Sequence, residues 1–219
     1  MTEISASVLT VKKENAIQKF YDLETAKINY FHIDVMDGKF VENNNVELMK
    51  EYALAISHMS NVGLDVHFMV ENVEEAIDDF IMLAPKIVTF HIEATKEKER
   101  TMKIIQDLKE NNIKVGIAIS PDTSIENIKE YLPYIHMVLV MTVVPGKGGQ
   151  AFIPEMLEKV KSLKQYIEEK NFDIDIEVDG GINEQTAKEV KEAGANILVA
   201  GNYIISSRNF AESVKNLKD

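Results

Sequence analysis

Short apolar or alternating runs recur along the chain at residues 4–9, 30–36, 64–69, 87–92, 113–119, 137–143, 174–178 and 197–200. Such runs, bounded by turn residues, predict strands. Longer amphipathic segments lie between them, at 11–27, 46–59, 73–83, 96–110, 124–132, 154–170, 183–193 and 209–217. Their punctuation suits helices. Asn72 and Ser124 stand at N-cap positions, Pro154 at a first turn and Gly194 just past an end. Strand and helix alternate about every 25–30 residues with no linker or low-complexity stretch between them. Alternation of this kind predicts a parallel sheet. Eight units predict an α/β fold of the (β/α)8 TIM barrel type, with residues 1–219 forming one domain. A doubly wound open sheet is the other arrangement with this order. Its glycine fingerprint after the first strand is absent: Ser5-Ala6-Ser7-Val8-Leu9 runs straight into Thr10.

Parity along the strands sharpens the picture, because successive side chains point to opposite faces. Phe31, Ile33 and Val35 share one face of the second strand; His32, Asp34 and Met36 share the other, just before the turn at Asp37-Gly38. His32 and Asp34 stand roughly 7 Å apart along that strand, at ~3.3 Å per residue. The same parity brings Ser5 and Ser7 from the first strand, Asp65, His67 and Met69 from the third, His91 from the fourth, and Glu177 and Asp179 from the seventh. The opposite set is apolar: Leu64, Val66, Phe68, Phe90, Ile92, Ile176 and Val178. Barrel interiors are ordinarily filled with branched apolar residues, and active sites sit at the C-terminal mouth. Ionisable groups of one parity collecting there point to chemistry.

Two histidines, His32 and His67, and two aspartates, Asp34 and Asp179, converge near one mouth. Imidazole and carboxylate donors suit one divalent ion of zinc, iron, manganese or cobalt. An ion beside carboxylates polarises a carbonyl and stabilises an enediolate. Aspartates arriving from the second and seventh strands can approach a flat intermediate from opposite sides. One removes a proton and the other returns one, inverting a carbon centre. Glycine loops follow three late strands: Pro145-Gly146-Lys147-Gly148-Gly149-Gln150, Asp179-Gly180-Gly181 and Gly201-Asn202. Bare backbone amides in such loops can hold a phosphate. Met36, Met69 and Met141 end three strands with inward parity and form an adaptable apolar lining over a sugar.

Composition narrows the partners. The 219-residue chain is 45% hydrophobic, enough for a sizeable core, and has no cysteine, so disulfides and thiolate metal sites are excluded. A net charge of −12 argues against nucleic acid. No apolar run is long enough to span a membrane. Met1-Thr2-Glu3 lacks the basic start of a signal peptide. A cytoplasmic protein is therefore expected. The expected partners are a phosphorylated ketose and further copies of the same chain in a homo-oligomer.

Five blocks together resemble the ribulose-phosphate 3-epimerase family: His32-Ile33-Asp34-Val35-Met36-Asp37-Gly38, Asp65-Val66-His67-Phe68-Met69-Val70, residues 141–150, Phe152-Ile153-Pro154, and Glu177-Val178-Asp179-Gly180-Gly181-Ile182-Asn183. The likeness runs in order from Ser5 to Ser206. It implies a (β/α)8 barrel that uses a divalent metal to interconvert D-ribulose 5-phosphate and D-xylulose 5-phosphate. It implies His32, Asp34, His67 and Asp179 as ligands, with Asp34 and Asp179 also the acid/base pair. Ser7 would contact substrate, and Gly148, Gly149, Gly180, Gly181 and Gly201 would form the phosphate cradle. The chain departs from the family pattern at Ala6, Glu42, Val144, Lys147 and Asn202, all around the sugar and phosphate. Lys147 replaces an aromatic side chain; it is either an exposed lysine or an ammonium that supplements the amides. These departures keep D-allulose 6-phosphate open as the substrate. Two other classes compete. A barrel lyase or decarboxylase would place a lysine at a strand end, but Lys114 begins its strand. A sugar-phosphate sensor without turnover would have no use for an intact aspartate pair.

Overall fold

The computed structural model describes residues 2–219. Its strands are β1 (Glu3–Ser7), β2 (Tyr30–Met36), β3 (Gly63–Met69), β4 (Ile87–His91), β5 (Lys114–Ile119), β6 (Met137–Met141), β7 (Asp175–Asp179) and β8 (Ile197–Ala200). They pair in chain order, all parallel, and β8 returns to β1 to close a (β/α)8 barrel. The helices are α1 (Ala16–Thr25), α2 (Val46–Met59), α3 (Val73–Phe80), α4 (Ile92–Thr95), α5 (Lys98–Glu110), α6 (Met156–Lys170), α7 (Glu184–Ala193), α8 (Asn202–Ile205) and α9 (Phe210–Lys218).

Three predicted boundaries shift for identifiable reasons. The segment 124–132 is not an α-helix but two 3₁₀ turns, Ile125–Asn127 and Leu132–Tyr134. Ser124 does cap, accepting from the Glu126 N–H. The backbone there closes i→i+3 bonds, Asn127 to Ser124, Ile128 to Ile125 and Tyr131 to Ile128, so no continuous α-helix extends across it. β4 stops at His91, and residues 92–95 wind into α4. A 3₁₀ turn, Lys13–Asn15, precedes α1, so its regular part is shorter than 11–27. Caps hold elsewhere: Asn72 accepts from Glu75, and Asn183 and Thr186 form a capping box on α7, which ends at Gly194 in the left-handed region (φ 114°).

Alternation divides the apolar residues into an outer and an inner set. The outer faces of the strands, with Phe31, Ile33, Val66, Phe68, Phe90, Ile176 and Val178 all buried, pack against the helices in one continuous core. Inside the barrel, Ile87, Met137 and Ile197 close the N-terminal end. Ala118, Leu139, Met141 and Val143 line one wall further up. The polar side chains lie between this floor and the C-terminal mouth.

The interior is tight where β4, β5 and β6 meet. Gly116 stands in register with Thr89 and Met137. A β-carbon there would run into Thr89 Oγ1 and come within 3.0 Å of Met137 Cε. Overpacking of this kind costs about 1–3 kcal/mol, so Gly116→Ala is expected to destabilise by that amount in denaturant titration. Thr89 Oγ1 has no hydrogen-bond partner, so Thr89→Ala strands no other group. Combined with Gly116→Ala, it should recover most of the loss. Additive costs in the double variant would show that the hydroxyl is not the obstacle.

Candidate metal centre and substrate cleft

Register builds the centre. β2 and β3 pair so that His32 lies beside Asp65 and Asp34 beside His67; β6 and β7 pair Met141 with Asp179. One donor atom each from His32, Asp34, His67 and Asp179 falls within 4.8 Å of the others. The histidine rings and Asp34 are buried, while the Asp179 side chain keeps 17% exposure. All four residues foreseen as ligands are therefore brought together.

The hydrogen bonds decide which atoms face inward. His32 Nδ1 is 2.7 Å from Asp65 Oδ2, which also accepts from Ser5 Oγ at 2.6 Å. That leaves His32 Nε2 turned to the cluster, buried and without a hydrogen-bond partner, although Asp34 Oδ1 is 3.2 Å away. His67 presents Nδ1, 3.1 Å from Asp34 Oδ1 and 3.9 Å from Asp179 Oδ2. Ser7 Oγ donates to Asp34 Oδ2 at 2.9 Å. An orphaned imidazole nitrogen aimed at two carboxylates and a second imidazole fits a divalent cation. The donor set is right for zinc, iron, manganese or cobalt, and the cation would satisfy the atom that the protein leaves bare.

Electrostatics pushes the two candidate acid/base carboxyls apart. Burial alone would raise Asp34, but the His32 and His67 rings outweigh it and hold the group well below the usual carboxylate range. Burial raises Asp179, the charge of Asp34 adds to it, and the group is pushed up to about 7. Burial lowers His32, yet Asp34 and Asp65 overcome that and hold it well above the ordinary imidazole value. Glu177, which faces Asp65 from β7, is driven well above the ordinary value by burial and by Asp65; neither of its oxygens has a partner.

Above the centre lies a cleft of about 480 Å³. Ser7, Asp34 and Asp179 reach its floor, and Met36, Met69 and Met141, each 2% exposed, line it. The glycine loops form the rim, with Gly146, Gly148 and Gly149 after β6, Gly180 and Gly181 after β7, and Gly201 and Asn202 after β8. Two of these glycines lie close to neighbouring residues. Gly181 (φ 67°) lies against the Phe152 backbone, where a β-carbon would collide with Phe152 N. Gly201 passes Ser7 so closely that a β-carbon would sit 3.2 Å from Ser7 Cβ.

Residues 3–205 match the ribulose-phosphate 3 epimerase family. The chain belongs to that family. A ribulose-phosphate 3-epimerase of Methanocaldococcus jannaschii is 37% identical over 219 residues, covering 100% of this chain and 91% of the relative. One from Bacillus subtilis is 36% identical over 220 residues, covering 100% and 99%. Solved structures share the fold at lower identity. 3-Hexulose-6-phosphate synthase from Salmonella typhimurium aligns with a TM-score of 0.71 at 12% identity, over 99% of this chain and 96% of that one. KGPDC from Streptococcus mutans aligns at 0.69 and 13%, over 100% and 96%.

Several neighbours of the centre are visible in the sequence only as inward polar positions, or not at all. Asp65 and Ser5 hold His32, and His91 touches His67. Sequence reasoning misses Glu93, because it lies past the end of β4 on α4, where strand parity no longer applies. The spacing His91-x-Glu93 at a strand end is the available signal. Lys147 lines the cleft rim, with its Nζ 3.6 Å from Glu42 Oε2 and both side chains exposed. Two departures from the family pattern thus pair with each other. Beside them, Asn43 Nδ2 donates to the Gly146 carbonyl at 2.6 Å.

If Asp179 and His32 hold a cation, they do so through bare ligand atoms, and the protons on them must leave when it binds. A carboxyl with a pKa of about 7 is half ionised at pH 7 and about one-hundredth ionised at pH 5. Affinity for zinc or manganese is therefore expected to fall at least about 50-fold between pH 7 and pH 5. Titration calorimetry in buffers of different ionisation enthalpy should show proton release near pH 7. Binding without proton release would contradict this ligand set.

Proposed function

We propose that this chain is a divalent-metal-dependent sugar-phosphate 3-epimerase that interconverts D-ribulose 5-phosphate and D-xylulose 5-phosphate. The observation that carries the proposal is the pair Asp34 and Asp179, arriving from β2 and β7, with β8 and β1 between them, into one donor cluster with their proton affinities pushed apart. Family membership and the names of the full-length relatives support it. His32, Asp34, His67 and Asp179 are the proposed ligands. The bound metal would supply positive charge for the oxygens of a flattened ketose.

The protein's own groups move the protons. In one direction ionised Asp34 removes the C3 proton on one face, and protonated Asp179 delivers one to C3 on the other. The C3–H electron pair enters the C2–C3 bond as the carbonyl gains charge, and returns to form the new C–H bond. Afterwards Asp34 is protonated and Asp179 ionised, which is the state needed for the reverse reaction. Two carboxyls in environments that separate their pKa values divide acid and base roles in this manner. Ser7 holds the Asp34 carboxylate by its donated hydrogen bond. Met36, Met69 and Met141 keep water from the carbanionic face.

The phosphate would lie at the glycine rim. Among the described residues lining the cleft, Lys147 is the sole lysine or arginine, and it is engaged by Glu42. Backbone amides are thus the main available donors for an anion. Among the described residues no helix is long and apolar enough to cross a membrane.

Turnover of D-ribulose 5-phosphate, with D-allulose 6-phosphate run alongside, tests the substrate. Preference for the hexulose phosphate would overturn the pentulose assignment while keeping the reaction. Asp34→Asn and Asp179→Asn should each lower epimerisation by at least ~10²–10⁴-fold, the usual contribution of a general acid or base, with metal content measured in parallel. One variant should still exchange the C3 hydrogen with deuterated solvent without inversion. Near-normal epimerisation in either variant would refute the two-face scheme.

A further inference from the structure

His67 is tied to the protein surface by a line of side chains. Its Nδ1 faces Asp34, and its Nε2 lies 3.0 Å from His91 Nε2. His91 Nδ1 lies 3.0 Å from Glu93 Oε2. Glu93 Oε1 accepts from the Ser120 N–H at 2.8 Å and from the Thr123 hydroxyl. The loop carrying these donors is held in turn by Lys159 Nζ, which donates to the carbonyls of Ser120, Pro121 and Thr123 at 3.0, 2.6 and 2.8 Å.

The line has a direction. Two facing ring nitrogens share a hydrogen bond only if one carries a proton and the other a lone pair. A ligating His67 Nδ1 must offer its lone pair, so the neutral ring keeps its proton on Nε2 and donates it to His91. His91 then accepts at Nε2 and carries its own proton on Nδ1, where it needs an acceptor. Glu93 is that acceptor, since an ionised carboxylate offers only lone pairs. Ser120 Oγ, 3.4 Å from the same nitrogen, is the weaker alternative. At the far end Asp34 pulls the opposite way, because a proton on His67 Nδ1 would bond to Asp34 Oδ1.

We infer that Glu93 and His91 are positioning residues that fix the tautomer of His67, so that a carboxylate on α4 sets metal affinity at a centre it does not touch. This rests on His67 being a ligand, as proposed above. Metal-ligating histidines depend on the acceptor behind them, and losing it typically costs 10–100-fold in affinity.

The test is Glu93→Gln. Glutamine has the same shape but one acceptor and one donor. The Ser120 N–H and Thr123 hydroxyl claim the acceptor, which turns the amide N–H groups to His91 Nδ1. His91 must then carry its proton on Nε2, and His67 is left to carry its own on Nδ1, facing the centre. Zinc affinity should fall about 10–100-fold, while Thr123→Val, which keeps the carboxylate, should change it less than about 3-fold. Two-bond ¹H–¹⁵N spectra of the zinc-loaded wild type should place protons on His67 Nε2 and His91 Nδ1. The inference is overturned if Glu93→Gln binds zinc within twofold of wild type, or if those spectra place the protons on the opposite nitrogens. Should Glu93→Gln fail to fold, the wild-type spectra decide alone. Undiminished zinc binding by His67→Ala would instead remove the ligand assignment itself, a separate result.

Discussion

An ionised group inside a barrel must find a partner within reach or give up its charge, since desolvation costs several kcal/mol per ion. Here Asp34, Asp65, Glu177, His32, His67 and His91 are stacked in the interior, nearly all fully buried. Each meets the constraint differently. Asp65 takes donors from Ser5 and His32, and Asp34 takes Ser7 and His67. Glu177 has no donor and is driven toward its protonated form. After these pairings, His32 Nε2 is the ring nitrogen that remains buried and bare. A protonated His32 supplies positive charge beside Asp34 and Asp65, and a cation at the centre would take that place once the ring gives up its proton.

That balance makes the two histidines dependent on different parts of the fold. His32 is steadied at once by Asp65 on the adjacent strand, at the register position that β-pairing fixes. Loss of that contact would require the sheet itself to slip. His67 is steadied through His91 by Glu93, whose partners sit on the loop after β5. A strand steadies one histidine, and the other is reached through a carboxylate whose donors sit on a loop anchored by Lys159 of α6. The Phe40 ring, 4.9 Å from the His91 ring, covers this line from the loop after β2.

The barrel and the quartet were legible in the sequence for one reason. A strand's period of two is rigid, so a residue's parity fixes its face, and the closure of parallel strands brings one parity together at one end. Where that period stops, legibility stops. Glu93 lies two residues after His91 but on α4, past the end of the strand, so only the His91-x-Glu93 spacing pointed to it. Residues 124–132 carry apolar spacing like that of a helix, yet the chain there closes i→i+3 bonds in 3₁₀ turns, which the period of the pattern does not distinguish from an α-helix. The Glu42–Lys147 pair joins two loops distant in sequence, and no local pattern links them.

The pairing changes what the departures mean for an acidic protein that handles a phosphate. Taken singly, Glu42 adds a negative charge beside the cleft and Lys147 a positive one. Taken together across the loops after β2 and β6, they form an exposed ion pair in which each offsets part of the other's charge. The same two loops are also joined by Asn43 to the Gly146 carbonyl and by Val41 packed against Gly146, where a β-carbon would come within 3.0 Å of Val41 Cβ. Those neutral contacts do not weaken with salt, whereas an exposed ion pair does. The loop that borders the phosphate end is therefore held chiefly by packing and an amide hydrogen bond. The oppositely charged departures at 42 and 147 thus add an exposed ion pair to a loop contact that these neutral interactions already make.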